Sequence, residues 1–241
     1  MKNRKTISFT SDTELHEKIL LTGENKVEGN ITTESLDLDG NLYVTGQLRT
    51  LSGSIKVQGT LTVDNDISCS KSVNIKGETI IGGVIHAENI QIDGKISCKQ
   101  MEARKSIILK GELLEIGDLN AGDQITIFIN KFKQYNIKGI ISAPIVEVKY
   151  RSMYSNLYEI PAKLLKIFGK KKKVRKEVTL EALNIESDKL IVTSYFPPEE
   201  IKFIFSDNCN ITSKQIEFIR EKTNPEFDRK WFQIENEKED E

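Results

Sequence analysis

Apolar and polar residues alternate in short runs that recur along the first half of the chain. The pattern apolar-x-apolar-x-Gly occurs six times, ending at Gly23, Gly40, Gly59, Gly77, Gly94 and Gly111. A seventh copy, Ile125 and Ile127, has Ile129 in the glycine position. Successive copies are therefore roughly 17 to 19 residues apart, and all fourteen apolar positions are Ile, Leu or Val. Such alternation is typical of strands with one buried face.

Each repeat carries two further apolar stretches after the glycine. One lies about two and four residues on, as at Leu42 and Val44, and another begins near the eighth residue, as at Leu48 and Ile67. Three short strands in about 18 residues describe a three-faced coil with alternate side chains pointing inward. The sequence therefore predicts an all-β solenoid in which coils stack at about 4.8 Å. Glycine then fits a corner that requires positive φ.

The composition changes near residue 130. Fourteen of the 15 glycines lie at or before Gly139, and of the 17 aromatic residues only Phe9 and Tyr43 precede Phe128. All five prolines come later, at Pro144, Pro161, Pro197, Pro198 and Pro225. Proline cannot donate to a strand ladder, so its absence fits a continuous sheet. The first part is predicted to be purely β, and the rest to differ.

Charge and cysteine content narrow the class of protein. Thirty-five basic and 36 acidic side chains leave a net charge of −1, so no global field favours nucleic acid as a partner. No apolar run approaches the roughly 18 residues that cross a bilayer, and Met1 to Phe9 lacks a secretory apolar stretch. We therefore expect a cytoplasmic protein. Cys69, Cys98 and Cys209 have neither disulfide-framework nor zinc spacing, and the first two fall on inward strand positions.

Enzymatic solenoids are the competing class. The variable length of the repeats breaks the strict hexapeptide pattern of left-handed acyltransferase solenoids. The chain has only His16 and His86, and His86 follows the inward Ile85, so it should face solvent. The sequence has no phosphate loop, GxSxG or CxxC motif, and acidic residues are scattered, as at Asp64, Asp66 and Glu78. We expect no catalytic residue, metal or cofactor; a carbohydrate-active solenoid is the least favoured alternative.

The repeats resemble a known family. The run from Val27 to Ile31 (VEGNI), followed by LDLDG, IKVQG, VNIKG and IQIDG, is similar to the bactofilin domain of bacterial polymer-forming cytoskeletal proteins, over about residues 17–130. The resemblance implies a right-handed triangular β-helix that assembles end to end into filaments without nucleotide. It also implies association with the inner face of the cytoplasmic membrane and scaffolding of cell-shape or cell-wall proteins.

The ends of a solenoid are where self-association is expected. Terminal coils expose unpaired strand edges and an uncovered apolar core, which invite another copy unless they are capped. The expected polymerisation ends are Ile19 and Leu21 in the first coil and Ile125, Ile127 and Phe128 in the last.

The chain departs from the family after residue 130. We divide it into an N-terminal arm (1–16), a solenoid (17–130), an extension (131–234) with a basic insertion (151–177), and an acidic tail (235–241). The extension is either irregular coils or a small α/β cap. In the first interpretation Leu190 and Val192 are followed, one repeat length later, by Cys209 and Ile211, with Val178, Leu180, Leu183 and Ile185 on the other faces. A capped end would favour a non-polymerising adaptor that binds a protein partner.

The basic insertion contains the one dense cluster of positively charged residues in the sequence. Pro161 to Phe168 predicts about two helical turns, with proline first and Gly169 as terminator. Its apolar edge is Leu164, Leu165, Ile167 and Phe168, and six basic residues follow, Lys170, Lys171, Lys172, Lys173, Arg175 and Lys176. Each could contribute about 1 kcal/mol at an anionic membrane surface. A solvated loop and a general polyanion patch are the alternatives.

Overall fold

A computed structural model describes residues 8–130, 135–151, 180–194, 204–206 and 208–220. In these residues the protein is all-β, without a helix, and its parallel strands form a β-solenoid. The strands are β1 (Ser8–Phe9), β2 (Thr13–Val27), β3 (Ile31–Val44), β4 (Leu48–Thr50), β5 (Ile55–Val63), β6 (Ile67–Cys69), β7 (Ser72–Ile81), β8 (Val84–Ala121), β9 (Gln124–Asn130), β10 (Tyr135–Ile137), β11 (Ile140–Ser142), β12 (Ile145–Arg151), β13 (Leu180–Glu181), β14 (Asn184–Ser194) and β15 (Asn210–Arg220). No helix in this part of the chain is long and apolar enough to cross a membrane.

The coils present three faces, which we name by their place in the repeat. Face A precedes the glycine corner, face B follows it, and face C holds the short third strand. Inward side chains of face A stack residue on residue in parallel register, first Ile19, Leu36, Ile55, Val73 and Ile90, and later Ile107, Ile125, Val146, Leu190 and Ile216. The predicted alternation is thus confirmed.

Face C combines one row of large side chains with one of small side chains. Ile31, Leu48, Ile67 and Ile85 are fully buried, and each contributes about 1.5–3 kcal/mol by leaving water. Two residues further along each coil stand Thr33, Thr50, Cys69, Ala87 and Ala103, all buried.

Stacked glycines form the corner between faces A and B. Gly77 and Gly94 have φ of 135° and 153°, a region that L side chains rarely adopt. A Cβ on Gly77 would lie 2.0 Å from the carbonyl oxygen of Gly59 in the preceding coil, and one on Gly94 would lie 1.9 Å from that of Gly77. The corner requires glycine for two reasons, backbone conformation and the close approach of the coil below.

A second corner is closed by side-chain oxygens. Oδ1 atoms of Asp12, Asn30, Asp66 and Asp118 each accept a hydrogen bond from a backbone N–H of the next coil, at 2.8 Å in all four cases. Asn and Asp favour turns because their short side chains can replace a backbone carbonyl in this way. Hydrogen bonds between successive coils therefore continue around this corner, with side-chain oxygens as the acceptors.

The extension adds irregular coils, as one of the two interpretations predicted. β12 stacks on β9, β14 on β12, and β15 on β14. The predicted register at the end is wrong, because Ile211 pairs with Ile185, and Val192 pairs with Phe218 rather than with Ile211. Leu183 is not an inward residue either, since it is 60 % exposed. Leu190 and Ile216 are 26 residues apart, beyond the length of the regular repeats, and a fixed repeat length therefore misplaces these strands.

We expect Gly77→Ala to destabilise the protein by about 3 kcal/mol, because the added Cβ strains φ and collides with a backbone carbonyl that cannot rotate away. Thermal unfolding followed by circular dichroism measures the loss. The neighbouring Lys76→Ala, at an exposed position, serves as the control and should change stability by less than about 0.5 kcal/mol. Equal melting temperatures for the two variants would contradict the glycine corner.

We expect Thr79→Val to stabilise the protein by about 1 kcal/mol. The Thr79 hydroxyl is buried and has no hydrogen-bond partner, so a methyl group of similar shape removes a desolvation cost. The matched control is Thr33→Val, because the Thr33 hydroxyl donates to the Glu17 carbonyl at 2.7 Å. Chemical denaturation should move the two midpoints in opposite directions, and a loss of stability in both would refute the assignment.

Candidate assembly interface

The last described strand, β15, has one paired edge. It runs parallel to β14 from Asn210 opposite Asn184 to Arg220 opposite Ser194. No strand among the residues that the structure describes pairs with its other edge. Such an edge presents a row of backbone N–H and C=O groups that can template another strand.

Among the described residues, the apolar core is incompletely covered at this same end. Ile216 and Phe218 continue the inward rows of Leu190 and Val192, which are fully buried. Yet Ile216 is 48 % exposed and Phe218 is 47 % exposed. Ile219, on the outer side of β15, is also exposed. Two core positions that are half exposed beside an unpaired strand edge form the candidate assembly interface.

The N-terminal end is different. β1 pairs only with Lys26 and Val27, so the outer edge of β2 from Thr13 to Asn25 has no partner strand in the described ranges. The predicted end residues Ile19 and Leu21 are on this strand, but they are 5 % and 2 % exposed. This end therefore offers a strand edge without a large apolar opening.

A polar side chain occupies one inward position of the first coil. Asn25 is buried where the next two coils have Leu42 and Leu61. Its Nδ2 donates to the carbonyl of Gly23 at 3.0 Å and to that of Asn41 at 3.2 Å. An amide in this row needs such partners, because a buried unsatisfied donor is costly. The inward row of face B thus starts, in the first coil, with a polar side chain whose amide is hydrogen-bonded.

The other predicted end residues are interior. Ile125 and Ile127 are fully buried because β12 stacks directly on β9, with Val146 and Val148 above them. The expectation that residues 125–128 end the solenoid is therefore wrong: the loss of glycine at Ile129 ends the glycine corner but not the stacking.

Phe128 points outward between two lysines. Lys110 Nζ lies 5.2 Å from its ring centroid and Lys149 Nζ lies 5.6 Å from it, within range of cation–π attraction. Lys149 also pairs with Glu147 at 3.0 Å. Phe128 thus joins three successive coils along the outside of face A and is not a terminal residue.

The predicted membrane patch lies outside the described residues. All its members, from Leu164 to Lys176, fall between the end of β12 at Arg151 and the start of β13 at Leu180. This charge run is evident in the sequence, whereas Ile216 was not predicted to be an end residue. The alternation of Ile216, Glu217 and Phe218 after the polar run SKQ was the available signal.

The thiols and histidines do not converge on a reactive centre in the part of the chain that is described. No three His, Cys, Asp or Glu side chains there are close enough to hold a metal ion. Burial raises the pKa of Cys98 to about 12 and also raises the pKa of Cys209. His86 lies on the outside of face C, with Nδ1 2.9 Å from Glu102 Oε2.

Comparisons with protein families, with curated proteins and with solved structures found no match for this chain. What the protein does must therefore be inferred from its own sequence and geometry.

We expect thiol reagents to distinguish the cysteines at pH 7. A pKa of about 12 leaves roughly one Cys98 thiol in 10⁵ as the reactive thiolate, and the side chain is also buried. Cys209 is only half-buried and should react first with N-ethylmaleimide, whereas Cys69 and Cys98 should react only after unfolding in denaturant. Mass spectrometry of digested protein reads out each site. Rapid native labelling of Cys98 would show that its coil is not closely packed.

Proposed function

We propose that this protein is a non-enzymatic cytoskeletal or scaffolding protein that self-associates end to end into filaments without nucleotide, in the manner that its resemblance to bactofilins implies. The observation that carries the proposal is the last described coil, in which Ile216 and Phe218 are half exposed at core positions beside an edge of β15 that no described strand pairs.

A second copy is the occupant that best fits this end. A strand of another copy placed against β15 would extend the parallel ladder and cover both side chains with apolar groups of matching spacing. Burying them fully would contribute about 1.5–3 kcal/mol each, before hydrogen bonds. The free edge of β2 offers the complementary row of backbone groups at the opposite end of the molecule. Contacts between unlike ends do not close, and they therefore generate filaments.

The sides of the rod are less suited to association. Exposed ion pairs such as Lys105 with Glu88 at 2.6 Å cross between coils, and such pairs contribute little stability but keep the surface hydrated. Exposed apolar side chains on face B, such as Ile80 and Leu114, stand among polar neighbours. Association is thus directed to the ends, since both present strand edges that no described strand pairs and the β15 end also exposes large apolar side chains.

The alternative is a capped adaptor that does not polymerise and docks a protein partner on one face. The burial of Ile19 and Leu21, together with the satisfied amide of Asn25, favours it, because a closed N-terminal end gives the next copy little apolar surface. Under this alternative the protein is a monomer, or at most a dimer.

Ile216→Lys combined with Phe218→Lys should abolish large assemblies, because two ammonium groups would have to be buried at the junction. Sedimentation velocity should give large species for the wild type and a small one for the variant, with unchanged far-UV circular dichroism. Ile80→Lys with Leu114→Lys makes the same chemical change on the side of the rod and should leave assembly intact. Wild-type protein that sediments as a monomer would favour the capped adaptor.

We further propose that the basic insertion contacts an anionic membrane surface on the cytoplasmic side. The partners of such a membrane-bound scaffold would be cell-shape or cell-wall proteins. Six basic residues next to an apolar edge could supply at most about 6 kcal/mol, and assembly would multiply this by avidity.

Sedimentation with vesicles that contain acidic lipid tests the membrane contact at low salt. Replacing the six basic residues between Lys170 and Lys176 by Gln should reduce binding, and so should Leu165→Ser with Phe168→Ser, because charge and apolar burial act together. Neutral vesicles are the control. Failure of the wild type to sediment at about 50 mM salt, where screening is weak, would reject a membrane role. If binding were reduced only by replacing the six basic residues with Gln, and not by the two Ser substitutions, the insertion would be a general polyanion patch.

A further inference from the structure

A groove of about 460 Å³ runs across the coils on face C. Its walls include Arg49, His86 and Arg104, and its floor includes the small buried residues Cys69 and Ala87. The groove exists because Ser68 and Ser70 occupy the outward positions of one coil, while longer side chains stand on the coils to either side.

The groove is positively charged. Within the described residues, no carboxylate lies within ion-pair distance of Arg49 or Arg104. The one acidic group of the lining, Glu102, is occupied: Oε2 lies 2.9 Å from His86 Nδ1, and Oε1 accepts from Gln100 Nε2 at 2.6 Å. Glu88 nearby pairs with Lys105 at 2.6 Å, and the pKa of Glu88 is lowered chiefly by that hydrogen bond and to a smaller extent by the charge of Arg104. Neither guanidinium group thus forms an ion pair with a described carboxylate, although Glu88 lies near enough to feel the charge of Arg104. Guanidinium is the group best suited to bind carboxylates through paired hydrogen bonds.

The two arginines stand at opposite ends of the groove. Arg49 pairs in register with Ser68, and Ser68 with His86. Glu102 contacts His86 from the next coil, and Arg104 follows it two residues later. Three coil steps, about 14 Å at 4.8 Å per coil, thus separate the levels of Arg49 and Arg104. Arg104 is also displaced by two residues, about 6.6 Å, along the strand, so the two positions are about 16 Å apart. A ligand that satisfies both would be extended obliquely across the coils, with anionic groups about 13 to 16 Å apart, since the arginine side chains are long and flexible.

The acidic tail of this chain has that spacing. Its sequence, ENEKEDE, places glutamates at every second residue, Glu235, Glu237, Glu239 and Glu241. In an extended peptide alternate side chains share one face, and residues four apart lie about 13 Å from each other. Two glutamates separated by four residues, such as Glu235 and Glu239, therefore come within reach of the two long arginine side chains. The glutamate between them would face the hydroxyl of Ser68.

We propose that the acidic tail, residues 235–241, docks in the face C groove of the same chain. The tail can reach it. The linker starts at Arg220, at the corner between faces A and B of the last coil. It must descend six coil steps, about 29 Å, and cross one face of about five residues, roughly 17 Å, which is a diagonal of about 34 Å. The 14 residues between Arg220 and Glu235 span up to about 46 Å when extended. Docking neutralises the two arginines and holds an acidic segment along the rod, independently of whether the ends assemble.

Photo-crosslinking in the full-length protein tests this docking. Asp240→p-benzoylphenylalanine puts the photoreactive group within the tail but outside its row of glutamates. Irradiation at low protein concentration should give crosslinks within one chain, to peptides that contain Arg49, Ser68 to Ser70 or His86 to Arg104. Arg49→Gln with Arg104→Gln should reduce their yield at least tenfold, as should about 0.5 M salt, which screens exposed charges. Circular dichroism checks that the solenoid remains folded.

The matched control is Lys56→Gln with Lys76→Gln, which removes two positive charges from face A and should leave the crosslinks unchanged. Crosslinks to other faces, crosslinks only between chains, or a yield that is insensitive to the arginine pair would overturn the proposal. The readout requires no filament, so it stands or falls separately from end-to-end assembly.

Discussion

The hydrogen bonds between each coil and the next are the interaction on which the rest of the fold depends. Every strand is parallel to its neighbours, so a residue in one coil lies over its equivalent in the coil before, and a change in one coil is felt by two others. This explains why inward rows hold Ile, Leu and Val. It also explains why Gly59, Gly77 and Gly94 must occur together, since each Cβ would meet the carbonyl of the glycine below.

The sequence predicted the regular coils well because each coil carries the same pattern of glycine and apolar residues. Glycine at a fixed position marks a corner of positive φ, and the apolar residues before and after it mark two faces, so that Ile55, Val57, Leu61 and Val63 could all be assigned inward from the pattern alone. After Gly111 the glycine at the corner position is no longer present. Ile129 is buried without a positive φ, and coil lengths then vary, so a count of residues placed Ile211 one face away from its true neighbours.

The candidate interface was harder to predict because exposure at a solenoid end depends on how many coils stack beyond a residue and not on its local pattern. Ile125 and Ile216 have the same alternation and the same inward direction, yet one is fully buried and the other half exposed. Likewise, Asn25 would be assigned outward from its polarity, but its place over Leu42 and its bonds to two carbonyls put it in the core.

The most direct test of the central claim, that the last described coil joins another copy, is cryo-electron microscopy of the full-length wild-type protein. We predict filaments in which the spacing of about 4.8 Å between parallel strands continues without interruption across each junction, with Ile216 and Phe218 buried there. Short rods one molecule long at all concentrations, or filaments joined along their sides with β15 facing solvent, would contradict it.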